Sequence, residues 1–236
     1  MLQLQRQRDI VRLVRERGSI TVKELSAALY ASPATIRRDL SALEEAGELT
    51  RSFGGASVRE DFPDQTPAVL RLGERLRQKK RAAAIAASLI QPGQTIFIDA
   101  STTTYLMYPH LRNIPDLTVI TNSPRLCVAL AESHVHNLCT GGEMLSLAQA
   151  LTGSDAQRFV AGIRAHAVFF SSRGIDAENI TDSSRAERDI KQAMVENAVK
   201  SYFIFDTAKE GQMFPYVVCP RRSVTAVIDE NGIRGE

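Results

Sequence analysis

The sequence predicts a small helical unit closed by a β-hairpin, followed by a larger α/β domain built on a mainly parallel sheet. Three observations carry this. Up to about residue 59, apolar residues recur at helical spacing and lead into short alternating segments around a Gly-Gly turn. From Ala82 onward, short apolar runs of strand length alternate with helical stretches, the pattern of strands covered on both faces. At 236 residues with 44% hydrophobic content, the chain exceeds one average domain and can fill a core in its larger part.

Ile10, Leu13 and Val14, set in an Arg-rich stretch, predict a first helix that stops at Gly18. Thr21 to Glu24 is a capping box that opens a second helix, and Leu25 and Leu29 form its buried stripe. Tyr30 and Ala31 then make a tight turn to Ser32, the connection of a helix-turn-helix. Ser32 accepts from an orphan backbone donor of the next turn, and Pro33 stands where its missing N–H is harmless. In the third helix Ile36, Leu40 and Leu43 bury one face and leave Ala34, Thr35, Arg37, Arg38 and Ser41 pointing elsewhere. That mix suits a major groove, because arginine reaches phosphates or guanine edges while small residues permit close approach. The helix ends at Gly47, and Thr50 to Val58 predicts a two-stranded wing around Gly54-Gly55 with Arg51 at its base. A winged helix-turn-helix is therefore expected over 1–59. Its candidate contacts to double-stranded operator DNA are Ser32, Ala34, Thr35, Arg37, Arg38, Ser41 and Arg51. Arginine pairs alone describe an ordinary solvated helix; the three helices, cap and wing together favour DNA. The net charge is only +2, so the arginines must gather on one face, and binding should rely on a homo-oligomer, dimer or tetramer.

The run from Ser32 through Arg37-Arg38-Asp39-Leu40 to Leu43-Glu44, then Gly47, Arg51 and Gly54-Gly55-Ala56, resembles the N-terminal signature of the DeoR family of bacterial transcription regulators. The similarity continues to the C-terminus. It implies a repressor of carbohydrate metabolism and no enzymatic activity.

Between the domains, Glu60 to Pro67 combines acids with prolines and reads as a linker. Arg71, Arg75, Arg77, Lys79, Lys80 and Arg81 follow as a basic cluster on a connecting helix, so the linker and helix together cover 60–80. The cluster reads as a solvated face, with an auxiliary phosphate contact as the alternative. The effector domain is then expected over 81–236. Helices are expected at Ala82 to Ile90, Pro124 to Ala131 and Ser184 to Lys200. Strands are expected at Thr95 to Ile98, Leu117 to Ile120, Asn137 to Cys139, Ala167 to Phe170, Tyr202 to Phe205 and Val224 to Ile228.

Small, polar and charged residues follow these strands: Asp99 with Ser101, Thr102, Thr103 and Thr104; Thr121, Asn122 and Ser123; Gly141 and Gly142; Ser171 and Ser172; Asp206 and Lys209. Ligands bind at that edge of open α/β sheets. Ser101 to Thr104 offers hydroxyls and backbone N–H groups that suit a phosphate, although plain helix capping explains the same residues. Asp99 and Asp206 can accept from sugar hydroxyls, and Lys209 can neutralise a phosphate.

The resemblance extends here to Asp99, Thr102-Thr103, Thr121-Asn122-Ser123, Gly141-Gly142, Gly174-Ile175-Asp176, Thr181, Glu187 with Lys191, and Asp206 with Lys209. It implies a fold similar to ribose-5-phosphate isomerase, glucosamine-6-phosphate deaminase and CoA transferases, with a phosphorylated sugar as effector. Three departures stand out. Ser101 replaces a usual glycine and is expected to narrow the backbone angles near the phosphate, Ser171-Ser172 replaces a glycine-containing turn, and Asn179-Ile180 replaces Gly-Leu. Two alternatives stay open at this level. One is a sugar-phosphate isomerase or deaminase using Asp99, Glu187 and Lys209; the other is a DNA-binding protein whose second domain serves oligomerisation alone.

Cys127, Cys139 and Cys219 show neither disulfide nor zinc spacing and are expected to be buried, inert thiols. His134 and His136 lack a third ligand nearby, and His110 and His166 stand alone, so no metal and no cofactor are expected. No stretch approaches the roughly 20 apolar residues of a membrane span, and no signal-peptide core opens the chain, so a cytoplasmic location is expected.

Overall fold

The computed structural model describes residues 3–17, 19–46, 48–52, 54–57 and 66–235, without the side chains of 15–17, 19, 50–52 and 57. The chain forms two compact units, 1–71 and 72–236.

The first unit contains α1 (Gln3–Arg17), β1 (Ser19–Thr21), α2 (Val22–Leu29), α3 (Pro33–Glu45), β2 (Thr50–Ser52) and β3 (Gly55–Ser57). Ile10, Val14, Leu25, Ile36, Leu40 and Leu43 meet in its core, as the helical spacing predicts. The capping box at Thr21 forms in full, and Ser32 Oγ accepts from Thr35 N with Pro33 at the first helical position. The wing carries one strand more than expected. β1 pairs with β3, giving the order β1-β3-β2. Gly55 makes this possible, because a Cβ there would collide with the Ile20 carbonyl. Gly18, Gly47 and residues 58–65, with most of the expected linker, lie outside the described residues.

After α4 (Ala68–Gly73) the helix breaks, and α5 (Leu76–Ala87) begins behind Arg75, whose φ is 48°. The expected connecting helix is therefore split in two, while most of its basic residues are solvated as read. Arg77, Lys80 and Arg81 are exposed, Lys79 is buried, and Arg75 forms an ion pair described below. Ala82, Ala83, Ala86 and Ala87 of α5 join the second unit's core.

The second unit continues through β4 (Thr95–Ile98), the single-turn helices α6 (Thr102–Tyr105) and α7 (Tyr108–Leu111), β5 (Thr118–Thr121), α8 (Pro124–Leu130) and β6 (His136–Cys139). A hairpin of β7 (Glu143–Leu145) and β8 (Ala150–Thr152) follows, then α9 (Gly153–Ala161) and β9 (Ala165–Phe170). The chain closes with β10 (Gly174–Ile175), β11 (Asn179–Asp182), α10 (Arg185–Glu196), β12 (Ala198–Ile204), β13 (Tyr216–Pro220), β14 (Ala226–Asp229) and β15 (Gly232–Arg234).

All six expected strands lie in one seven-stranded sheet of order β15-β14-β12-β9-β4-β5-β6, parallel except for β15. Alternate side chains feed opposite layers. Ile96, Ile98, Val119, Phe169 and Ile204 pack with α5 and α8 residues on one face. Phe97, Ile120, Val168, Phe170 and Phe203 pack with α9 and α10 residues on the other. The helix expected through Lys200 stops at Glu196. Ala198 instead pairs with Ala165, so a sheet contact overrides local helical preference. The short antiparallel pairs, β7 with β8 and β10-β11-β13, were not expected; strands of two to five residues give little periodicity. Cys139 corrects the expectation of buried thiols, since it lies exposed on edge strand β6 while Cys219 is buried and Cys127 half-buried.

Gly142 has φ 104°, and a Cβ on it would collide with the Thr152 carbonyl and press Ala156, whereas Gly141 at φ 68° faces open space. Gly142→Ala should therefore cost about 2–3 kcal/mol, and Gly141→Ala about 1 kcal/mol, read from urea unfolding of the second unit. Equal losses would contradict the close approach at Gly142.

Candidate functional site

In the first unit the exposed face of α3 carries Ala34, Arg37 and Arg38, with Thr35 and Ser41 half-exposed. Ser32 is exposed, but its hydroxyl is occupied in capping, 3.1 Å from Thr35 N and 2.9 Å from Thr35 Oγ1. Arg51 lies on β2, and its side chain lies outside the described residues. The sequence reading passed over Asp39. It is buried on α3 and takes Arg6 Nε of α1 at 2.5 Å and the neighbouring guanidinium nitrogen at 3.3 Å. This fork fixes the helix bearing Arg37 and Arg38 against α1.

In the second unit, the sheet reverses direction of growth between β4 and β9. From β4 the chain adds β5 and β6 on one side, then β9, β12 and β14 on the other. Such a switch point leaves a crevice at the carboxyl ends of the two strands. Asp99 follows β4 and Ser171 follows β9, and Ser171 N donates to Asp99 Oδ1 across the switch at 3.3 Å.

Lys191 of α10 gathers the acids around this point. Its Nζ lies 2.7 Å from Asp182 Oδ2, 3.3 Å from Glu187 Oε1 and 3.8 Å from Asp99 Oδ2, and Lys191, Asp99 and Asp182 are all buried. Burial pushes Asp99 above the usual carboxylate range, against the pull of Lys191 and the Thr104 hydroxyl. Burial also acts on Asp182, but the charge and hydrogen bond of Lys191 and the Ser172 hydroxyl outweigh it and hold Asp182 below that range. Lys191 is raised because the three carboxylates together overcome its own desolvation. Lys209 Nζ donates to Ser171 Oγ at 3.0 Å and to the Ser172 carbonyl at 2.8 Å, while the Ser172 hydroxyl lies 2.7 Å from Asp182 Oδ2. Asp99, Ser171, Glu187, Lys191 and Lys209 are thus one connected network. Asp182, which the sequence reading did not single out, and Ser172, noted only among the strand-end residues, complete it.

In the first loop the narrowing of backbone angles expected at Ser101 costs the fold nothing. Ser101 has φ −84° and ψ 156°, ordinary angles for any L residue, so no strain arises from its side chain. Its hydroxyl caps Thr104 N and meets Thr104 Oγ1 at 2.7 Å, and Thr104 Oγ1 lies 2.8 Å from Asp99 Oδ1. Thr102 Oγ1 is reached by buried Lys79 Nζ at 3.5 Å, and buried Thr103 Oγ1 has no hydrogen-bond partner. Thr121, Asn122, Gly141 and Gly142 end the neighbouring strands. Thr121 Oγ1 accepts from Ser123 N, and Asn122 Nδ2 donates to the Leu151 carbonyl, leaving buried Asn122 Oδ1 without a hydrogen-bond partner. The Asp206 carboxylate turns to Arg75 Nε at 2.9 Å, and Glu230, 3.9 Å from Arg75, accepts from Thr207 N and Oγ1. Sequence spacing gave no sign of this pairing, because 130 positions lie between Arg75 and Asp206.

The chain matches the DeoR-like helix-turn-helix domain over residues 6–62 and the DeoR C-terminal sensor domain over 74–231. It belongs to the DeoR family. It is 34% identical over 214 residues to the HTH-type transcriptional regulator GlpR of Haloferax volcanii, spanning 90% of this chain and 84% of that one. To the lactose phosphotransferase system repressor of Staphylococcus epidermidis it is 31% identical over 227 residues, spanning 94% and 90%. A solved D-ribose-5-phosphate isomerase overlays at 15% identity over 57% of this chain and 54% of that one, with a TM-score of 0.43. Family membership makes this chain a DNA-binding transcriptional regulator with a sensor domain, and sets it among regulators instead of enzymes. Among the described residues, no helix is long and apolar enough to cross a membrane.

The Lys191 cluster sets a pH dependence. Asp182, held low, contributes stability that is present above its unfolded value and lost as pH falls through its folded one. Asp99, held high, does the reverse, its contribution being lost as pH rises through its folded value. Lys191→Met strands both carboxylates, so the second unit should lose about 3–5 kcal/mol at neutral pH. That deficit should shrink toward pH about 4 as the acids take up protons. Urea titrations at both pH values check this, and a pH-independent deficit would contradict it.

Proposed function

We propose that this regulator is a repressor of a carbohydrate-metabolism operon, whose operator affinity changes when a phosphorylated sugar binds at the β4/β9 switch point. The observation that carries the reading is a group of three buried acceptors without hydrogen-bond partners, Asp99 Oδ2, Thr103 Oγ1 and Asn122 Oδ1, in the loops after β4 and β5 and the short helix α6. Leaving such atoms unpaired costs about 1–3 kcal/mol each, and a polyol supplies the hydroxyl donors they lack. Lys209 and Lys79 bring positive charge to the same edge, which suits a phosphate. The remaining proposed contacts are Ser101, Thr102, Thr104, Thr121, Gly141, Gly142, Ser171, Glu187, Lys191 and Asp206. The named repressor of a lactose phosphotransferase system among its relatives agrees with this class of effector.

DNA contact falls to Ala34, Thr35, Arg37, Arg38 and Ser41 with Ser32 and Arg51 at the edges. A homo-oligomer in the cytoplasm would place paired α3 helices in major grooves about 34–36 Å apart or multiples of that. The sugar phosphate regulates by binding the DNA-competent and incompetent arrangements with different affinity. The domain boundaries proposed for these roles are 1–59 for DNA, 60–80 for the connection and 81–236 for the effector.

The test is fluorescence anisotropy on the duplex upstream of the protein's own gene, with and without a sugar-phosphate panel, alongside thermal shift. Arg37→Ala should weaken specific binding by about 10–100-fold while ligand-induced stabilisation persists. Lys209→Ala should keep DNA affinity and lose the ligand-induced rise in Tm. A panel that changes neither affinity nor Tm would instead leave the second domain an oligomerisation module.

A further inference from the structure

Tyr30 ends α2 in the left-handed region, with φ 49° and ψ 42°. A bulky side chain is strained there, whereas glycine or asparagine is at ease. The backbone N–H does its usual work by donating to the Ser26 carbonyl. The side chain does none inside the fold, for it is 96% exposed. A conformation that strains the chain and an aromatic ring that folding leaves in water share one explanation if the ring's partner is another molecule.

Its place in the fold names that partner. Only Ala31 separates Tyr30 from Ser32, the N-cap of α3, and the exposed residues Pro33, Ala34, Arg37 and Arg38 continue from there. When such a helix enters a major groove its N-terminal residues approach the bases while the helix before it crosses the sugar-phosphate backbone, and Tyr30 caps the end of that preceding helix, α2. We infer that Tyr30 rests on that backbone, its phenol hydroxyl donating to a phosphate oxygen and its ring covering the adjoining deoxyribose. The surface is continuous with the DNA-reading face of α3, and a tyrosine offers a flat apolar body with a donor at its tip. Because the phenol is neutral, it displaces no counterion; because its partner is backbone, it carries no sequence information. Tyr30 is a positioning contact that sets how α3 sits in the groove, while Arg37 and Arg38 supply charge and readout. The inference rests on DNA binding by the first unit and is independent of what the second unit senses.

The test uses the full-length chain, Tyr30→Phe and Tyr30→Gly, on two labelled duplexes of equal length: the region upstream of its own gene and a scrambled sequence. Tyr30→Phe should weaken both by about 10–100-fold, the loss of one hydrogen bond to a charged acceptor. The slope of affinity against salt should stay unchanged between about 50 and 200 mM. Tyr30→Gly should weaken binding further while Tm rises by about 2–4 °C, because glycine relieves the backbone. Wild-type affinity for both duplexes in either variant would overturn the assignment. So would a fall in Tm with Tyr30→Gly, which makes Tyr30 a structural residue, or a change of assembly mass in sedimentation, which makes it a subunit contact.

Discussion

The second unit depends on a cation that must not be left alone. Lys191 is buried, and its charge is tolerable there because Asp182, Glu187 and Asp99 surround it. That requirement ties the end of β11, the first turn of α10 and the loop after β4 to one point. With those three pieces fixed, Asp99 also takes the Ser171 amide and the Thr104 hydroxyl, and the strand ends on either side of the switch point are held together. The cluster leaves Asp99 with one oxygen that no hydrogen bond satisfies. A site can be both rigid and unsaturated in this way, because Lys191 supplies charge at 3.8 Å without completing a hydrogen bond.

The first unit solves a smaller version of the same problem. Asp39 is buried on α3 and is paired by Arg6 of α1, so the helix that presents Arg37 and Arg38 is fixed by a fork of two hydrogen bonds as well as by Ile36, Leu40 and Leu43. The fork sets the direction in which the exposed side chains of α3 point. Arg37 and Arg38 are solvent-facing because positions 36, 40 and 43 take the core.

Much of this was legible before any coordinates. The cap at Ser32-Pro33 and the box at Thr21 to Glu24 are local interactions within four residues, and both form as read. Each expected run from Thr95 to Ile228 became a sheet strand, the inner ones because a strand covered on both faces is apolar along nearly its whole length, while β6 is a partly exposed edge. What escaped were β1, whose pairing depends on a glycine more than thirty residues away, and the two-to-five-residue strands of the small sheets. At Ser101 the backbone is extended and the hydroxyl serves as a cap, so the side chain that replaces the family's glycine strains no backbone there.

The sequence by itself determined the longer helices and the six long apolar strands, where the recognition helix begins, and that polar residues collect after each of those strands. Those properties follow from periodicity and capping, which act over a few residues. Only the tertiary structure decided which strand ends meet. The order of strands in the sheet sets β4 beside β9 and brings Asp99 to Ser171, while the packing of α10 and α5 on the two faces of the sheet goes with the pairing of Asp182 to Lys191 and of Asp206 to Arg75. Strand order is a global outcome of packing two helical layers on one sheet, and the pairing of buried charges follows from it.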